Sequence, residues 1–152
     1  MLIRNILEES VRKFDEVKAV KWLNKKEIME RSYGELMENV VSTRKGLLAE
    51  GFEGKHIALI GTSSVEWMES YLGIITGCTT AVPLDAALPC EDLIDLLNRS
   101  DSVALFLSPK LKPYLDAFLE NCPKLQKVWM LQEEVEDAPA KVYGIGDRKS
   151  VV

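Results

Sequence analysis

The sequence predicts an α/β protein in which a parallel sheet is flanked by helices on both faces, after a short N-terminal hairpin. Residues 56–131 alternate short apolar runs with amphipathic helical segments, and this alternation is typical of a parallel sheet. The apolar runs carry hydrophobic residues at consecutive positions, as strands buried on both faces do. Hydrophobic residues make up 47% of the 152-residue chain and charged residues 28%, which indicates a globular protein rather than a disordered or fibrous one.

The first 55 residues predict two helices separated by a hairpin. Residues 1–14 have a loose helical pattern, and two extended runs then flank the polar tip Asn24-Lys25-Lys26. The second helix is expected to begin with a capping box, in which the side chains of Ser32 and Glu35 each accept a hydrogen bond from the other residue's backbone N–H. Gly51 is expected to end this helix. Its predicted apolar stripe consists of Leu36, Val40, Leu47 and Leu48.

The first strand–helix–strand unit of the sheet spans residues 56–85. A strand leads through the turn Gly61-Thr62-Ser63-Ser64 into a helix, and Ser63 with Glu66 fits a second capping box. We expect Glu69 to lie on the solvent-exposed face of this helix, and Gly77 to end it. Its predicted buried stripe consists of Val65, Met68, Leu72 and Ile75.

Two further units of the same kind complete the predicted sheet. Pro89 suits the first turn of a helix, and Ser108-Pro109 is expected to start another. The strands that follow these helices are connected by right-handed crossovers. We therefore assign residues 1–131 to one α/β unit. Residues 132–152 are assigned to an acidic linker or tail, within which residues 141–143 have the pattern of a short strand.

The composition argues against several classes of function. A net charge of −5 does not favour nonspecific nucleic-acid binding, which requires a basic face. No apolar run approaches the about 18 residues needed to cross a bilayer, and the N-terminus lacks a signal-peptide pattern. Cys78, Cys90 and Cys122 are odd in number and form no CxxC pair, so we expect no disulfide framework, no metal site and a cytoplasmic location. His56 is expected to be a structural residue at the edge of a strand.

The turn at residues 61–64 contains the best candidates for ligand binding. It lies at a helix N-terminus, where free N–H groups and hydroxyls favour a phosphate or a carboxylate. Because Ser63 is also explained as a helix cap, Thr62, Ser63 and Ser64 are weak candidates. Asp85 at a strand end is predicted to stabilise a turn, and Gly144-Ile145-Gly146 lacks the third glycine of a dinucleotide fingerprint. The sequence shows no paired carboxylates and no nucleophile–base pair, so we assign no catalytic residue.

Two segments resemble the N-terminal region of the adenylate-forming enzymes, especially the AMP-forming acyl-CoA synthetases. Residues 31–36, RSYGEL, resemble the early "(S/T)-Y-x-E-L" motif, and residues 73–85, GIITGCTTAVPLD, resemble the second core motif that ends in "V-P-L-D". Between them, Ser64-Val65-Glu66-Trp67 resembles the family's helix opening. The resemblance covers residues 5–131, and the hairpin with Lys21-Trp22 is similar to that of the long-chain fatty-acid members.

The resemblance implies a Rossmann-like subdomain of a larger enzyme. In this family a carboxylate attacks ATP, with magnesium, to give an acyl-adenylate, and coenzyme A then takes the acyl group. The phosphate loop, the motifs that hold adenine and ribose, and the C-terminal domain with the catalytic lysine do not occur in these 152 residues. The resemblance therefore implies an N-terminal scaffold fragment that is inactive alone and whose partner is the remainder of the parent enzyme.

Two alternatives of other classes stay open at this point. A flavodoxin-like module could hold a flavin or nucleotide phosphate at Thr62, Ser63 and Ser64. A pure interaction module is the other alternative. In either the fragment or the interaction module, an open sheet edge or apolar face predicts self-association.

Overall fold

The computed structural model describes residues 2–132 and 141–144. Its helices are α1 (Ile3–Phe14), α2 (Tyr33–Ala49), α3 (Val65–Thr76), α4 (Cys90–Arg99), a 3-10 helix (Pro109–Tyr114) and α5 (Leu115–Asn121). Its strands are β1 (Lys18–Asn24), β2 (Glu27–Ser32), β3 (His56–Ile60), β4 (Thr80–Leu84), β5 (Ala104–Leu107), β6 (Lys127–Met130) and β7 (Val142–Gly144).

The strands form two separate sheets, which confirms the predicted fold class. β1 and β2 pair as an antiparallel hairpin, and the other five strands form a parallel sheet in the order β4-β3-β5-β6-β7. The chain first adds β4 on one side of β3 and then continues with β5 on the other, so the strand order reverses between β3 and β5. β7 pairs with β6 and lies within the segment that the sequence assigns to the tail.

Helices cover both faces of the parallel sheet, as the sequence predicts. On one face, Leu93 and Leu97 of α4 and Phe118 of α5 pack in one buried cluster with Ile60 and Leu105 of the strands. The cluster on the other face contains side chains of both flanking helices and of the strands. Its members include Leu47, Ile74, Ile57, Leu59 and Phe106. Consecutive strand residues therefore point into different cores, which explains why the strands are apolar at every position.

The first predicted capping box is confirmed and the second is wrong. Ser32 Oγ accepts a hydrogen bond from Glu35 N at 3.1 Å, and Glu35 Oε2 accepts one from Ser32 N at 2.7 Å. In α3 the cap is Ser64, whose Oγ accepts from Trp67 N at 3.1 Å, while Ser63 is exposed. The helix begins one residue late because Thr62 N donates to a side chain of the neighbouring strand end, which keeps the turn extended.

The expected helix start at Ser108-Pro109 is a 3-10 helix rather than an α-helix. Residues Pro109–Tyr114 form this tighter helix, and α5 begins only at Leu115. Pro113 lies inside the segment, where it lacks an N–H for the α-helical hydrogen bond and disfavours α geometry in the residue before it. Ser108 makes no capping hydrogen bond to this helix, so its side chain is available elsewhere.

The buried face of α3 differs from the predicted stripe. Val65 is buried as expected, but Met68, Leu72 and Ile75 are only partly buried. The buried positions are instead Val65, Glu69, Ser70, Gly73, Ile74 and Thr76. Small side chains on this face let α3 approach α2 closely, and this contact decides the face that is buried. Leu48 of α2, which belongs to the predicted stripe, is also 47% exposed.

Glu69 is buried, which contradicts its predicted place on the solvent-exposed face of α3. The side chain is 1% exposed, forms an ion pair with Arg31 and accepts a hydrogen bond from Asn39 Nδ2 at 3.0 Å. The guanidinium carbon of Arg31 also lies 5.3 Å from the centre of the Trp22 ring. One carboxylate therefore joins the hairpin, α2 and α3.

The isolated titratable residues have structural roles. His56 is exposed, and its Nδ1 lies 2.7 Å from the carbonyl oxygen of Ser100, to which a protonated Nδ1 donates. Cys78 is exposed, whereas Cys122 is buried and its burial raises the pKa of the thiol. In residues 2–132 and 141–144, no helix is long and apolar enough to cross a membrane, and no cluster of His, Cys, Asp and Glu could hold a metal ion.

Candidate functional site

The reversal of strand order opens a crevice at the carboxyl ends of β3, β4 and β5. In open parallel sheets, ligands bind at such points because the connections leave the two neighbouring strands toward opposite faces. The crevice has a volume of about 660 Å³ and is lined by residues 61–63 after β3, 84–87 after β4, and Ser108 with parts of the 3-10 helix after β5. This is the size of a small-molecule site.

Two of the three candidate residues line this crevice. Thr62 and Ser63 are exposed and lie in its wall, which they share with the turn after β4 and Lys110 of the 3-10 helix. Ser64 does not line it. Its hydroxyl caps α3, and the residue borders a smaller cleft of about 390 Å³ between α3 and Trp22 of the hairpin.

The floor of the crevice is built by a close contact between Gly61 and Ser108. Ser108 is 2% exposed, its N donates to Ile60 O at 3.0 Å, and its Oγ accepts from Thr62 N at 3.2 Å. A Cβ on Gly61 would overlap Ser108 Oγ and lie 3.0 Å from Ser108 Cβ. The contact was missed from the sequence, because Ser108 also fits a helix cap. The available signal was a small residue directly after each of two buried parallel strands.

Asp85 stabilises the turn after β4, as predicted. Its Oδ1 accepts a hydrogen bond from Ala87 N at 2.9 Å, and its carbonyl oxygen accepts one from Leu88 N at 3.2 Å. The carboxylate is therefore engaged by the backbone at the rim of the crevice.

The crevice has groups that can bind an anion. The hydroxyls of Thr62 and Ser63 and the ammonium group of Lys110 favour a carboxylate or a phosphate. No histidine or cysteine is among the described residues that line it. The arrangement therefore fits the binding of an anionic group.

Replacing Gly61 by alanine tests the construction of this floor. We expect Gly61→Ala to lower the free energy of unfolding by about 1–2 kcal/mol, because Ser108 must move and its bond to Thr62 N is lost. Urea unfolding followed by circular dichroism measures the change. Adding Ser108→Ala should restore part of the loss, since it removes the closest atom. An alanine at position 61 that leaves stability unchanged would contradict the contact.

Comparison with known proteins identifies the family. The sequence profile of the family described as "AMP-binding enzyme" matches residues 7–150. The chain belongs to the AMP-binding enzyme family. This confirms the resemblance seen in the two motifs, and the match continues beyond residue 131, where that resemblance stops. No curated protein sequence matches the chain significantly.

Solved structures of ligases share the fold over nearly the whole chain. Coronafacic acid ligase from Pectobacterium brasiliense is 20% identical with a TM-score of 0.88, over 99% of this chain and 29% of that one. The anthranilate CoA ligase AuaEII, solved in complex with anthranoyl-AMP, is 17% identical with a TM-score of 0.80, over 98% and 27%. The N-terminal domain of FACL13 from Mycobacterium tuberculosis is 17% identical with a TM-score of 0.79, over 100% and 37%.

This member of the AMP-binding family spans only a part of those structures. The chain covers 27–37% of their lengths. The strand order itself, with the second strand at one edge and the order 2-1-3-4-5, also occurs in flavodoxin-like folds. Strand order alone would therefore not separate the adenylate-forming enzymes from the flavodoxin-like alternative, whereas the match to the family profile does.

Proposed function

We propose that this chain is the N-terminal scaffold portion of an AMP-forming acyl-CoA synthetase. The observation that supports this most directly is the family match over residues 7–150 of a chain that spans 27–37% of the length of the structures compared above. The complete enzyme would convert a carboxylate and ATP into an acyl-adenylate and pyrophosphate, and then form a thioester with coenzyme A. The long-chain resemblance of the hairpin supports a role in fatty-acid metabolism.

The described residues do not by themselves fit the cofactors of that reaction. Within residues 2–132 and 141–144, no three His, Cys, Asp or Glu side chains lie together as a metal site. Lys110 does not follow a Thr/Ser/Gly-rich phosphate loop. We therefore assign no step of the reaction to this chain. Its proposed contribution is the parallel sheet and, at the crevice, Thr62 and Ser63 as contacts for an anionic group.

The proposed partners follow from the same interpretation. The remainder of the parent enzyme is the main one, and the parent's carboxylic-acid substrate is the ligand class. The sheet has two edges, at β4 and β7, and we propose that they allow the fragment to self-associate. We place the protein in the cytoplasm.

Isotope exchange between ATP and pyrophosphate tests the proposed role. With ATP, magnesium and a fatty acid, we expect the purified chain to show no exchange above the buffer background, because it has no nucleophile–base pair and no phosphate loop. A full-length AMP-forming acyl-CoA synthetase serves as the positive control under the same conditions. Clear exchange by the purified chain, proportional to its concentration, would falsify the scaffold assignment.

A further inference from the structure

Exposed apolar side chains are concentrated in the N-terminal fifth of the chain. Among the described residues, nine large hydrophobic side chains are exposed, and eight of them lie within residues 2–29, which comprise the N-cap of α1, α1, the joining segment and most of the hairpin. Leu48 of α2 is the ninth. Leu23 and Ile28, which are 73% and 68% exposed, face each other across the hairpin ladder, next to its turn. They lie on the side of the hairpin opposite to that of Trp22, since neighbouring strand residues alternate between faces.

The turn beside these two side chains consists of two lysines. Asn24 pairs with Glu27, so Lys25 and Lys26 alone form the loop. Lys25 has a φ of 58°, in the left-handed region where glycine or asparagine is preferred. Lysine at this position therefore stabilises the turn less than glycine or asparagine would. What lysine adds there is its positive charge.

The hairpin is basic in an acidic chain. Residues 18–31 contain five basic and two acidic residues, a net charge of +3, whereas the whole chain has a net charge of −5. Glu30 lies 3.9 Å from Lys18 Nζ and 3.3 Å from Lys21 Nζ, near the middle of the hairpin. Lys25 and Lys26 make no ion pair within the described part of the chain. Within the tip, Lys25 and Lys26 outweigh Glu27, which leaves a net charge of +1 beside Leu23 and Ile28.

We propose that the tip of the hairpin, residues Leu23–Ile28, binds an anionic lipid surface. The side chains of Leu23 and Ile28 would enter the boundary between headgroups and acyl chains, and the ammonium groups of Lys25 and Lys26 would contact lipid phosphates. The opposite end of the ladder is fixed to the body by Arg31, so the tip is the end free to approach a flat surface. A lipid surface is fluid, so it needs no pocket of complementary shape to accept two exposed aliphatic side chains. The lysines beside them supply the charge that an anionic surface attracts. The proposal is independent of the proposed function.

Co-sedimentation with vesicles tests this proposal on the complete chain. We expect binding to vesicles of phosphatidylcholine mixed with phosphatidylglycerol, little binding to phosphatidylcholine alone, and a decrease with added salt. Lys25→Gly should weaken binding about fivefold, the effect of one lysine at a membrane surface. Because glycine accepts the positive φ, this variant should not lower the melting temperature, so its loss of binding cannot come from unfolding. The double variant Leu23→Ser with Ile28→Ser should reduce binding further.

A matched control is available on α2. Lys45 and Leu48 are exposed and three residues apart, so Lys45→Glu with Leu48→Ser removes a lysine and an exposed leucine far from the hairpin in sequence. This control should keep its vesicle binding. The proposal is overturned if the chain does not bind anionic vesicles, or if the control loses as much binding as the hairpin variants. Binding to soluble polyglutamate without binding to vesicles would also overturn it, in favour of an acidic protein partner.

Discussion

Glu69→Ala is expected to lower the free energy of unfolding by about 3 kcal/mol, the low end of the range for breaking a buried ion pair. The change leaves the guanidinium of Arg31 and the amide of Asn39 without the carboxylate that both contact. The smaller cost is expected because the side chain of Arg31 is 22% exposed, so water can partly hydrate its guanidinium once the carboxylate is gone. The hairpin should loosen most, since Arg31 is its link to α3.

Urea unfolding and amide hydrogen exchange measure the two parts of this expectation. The amide protons of β1 and β2 should exchange faster in Glu69→Ala, while those of β3 and β5 should follow global unfolding. Glu66→Ala on the same helix is the control and should change stability by less than about 1 kcal/mol, since it removes only an exposed hydrogen bond from Gln132 and an acidic residue of the first turn. In the cycle with Arg31→Met, the double variant should be more stable than additivity predicts. Equal effects of Glu66→Ala and Glu69→Ala would argue against the buried network.

Gly73→Ala should destabilise the protein by about 2 kcal/mol, although alanine is the better helix former. At an open helical position the exchange would be favourable by about 1 kcal/mol. In α3 the added Cβ would lie 2.5 Å from Thr43 Cβ and 2.6 Å from Thr43 Cγ2, so α2 and α3 must move apart. The sign of the effect therefore reports on the contact between the helices.

A double-mutant cycle with Thr43→Gly separates the clash from helix propensity. Thr43→Gly alone should destabilise, because it places a glycine inside α2 and removes a buried side chain. Combined with Gly73→Ala, it should recover most of the cost of the clash, which gives a favourable coupling energy of at least about 1 kcal/mol in urea unfolding. Additive effects of the two changes, or a stabilising Gly73→Ala, would show that the helices are not in close contact at this point.

Interactions between residues close in the sequence were predictable, whereas those between distant residues were not. The capping box of Ser32 and Glu35 was predictable because both partners are three residues apart. The role of Ser108 was not, since the atom that it contacts belongs to Thr62, 46 residues away. That contact also moved the start of α3 from the predicted Ser63 cap to Ser64.

The burial of Glu69 shows the same limit at the level of a whole helix. In the sequence of α3 alone, the predicted apolar stripe lies on one side of the helix. A glutamate outside that stripe is therefore predicted to face solvent. The burial of that side depends on Arg31, which is 38 residues away, and on the absence of a side chain at Gly73. Within the candidate site, the sequence identified Thr62, Ser63 and the turn of Asp85. It did not identify the contact between Gly61 and Ser108 at the floor of the crevice, or the position of Lys110 in its wall.

The sequence by itself determined the succession of helices and strands, the parallel sheet and, through the order of two motifs, the family. These properties depend on residues within one or two turns of each other, or on motif spacing along the chain. The tertiary structure alone decided the strand order, the crevice at its reversal and the helix faces that are buried. Each of these depends on contacts between residues far apart in the sequence, whose side-chain sizes and charges are matched only after the chain has folded.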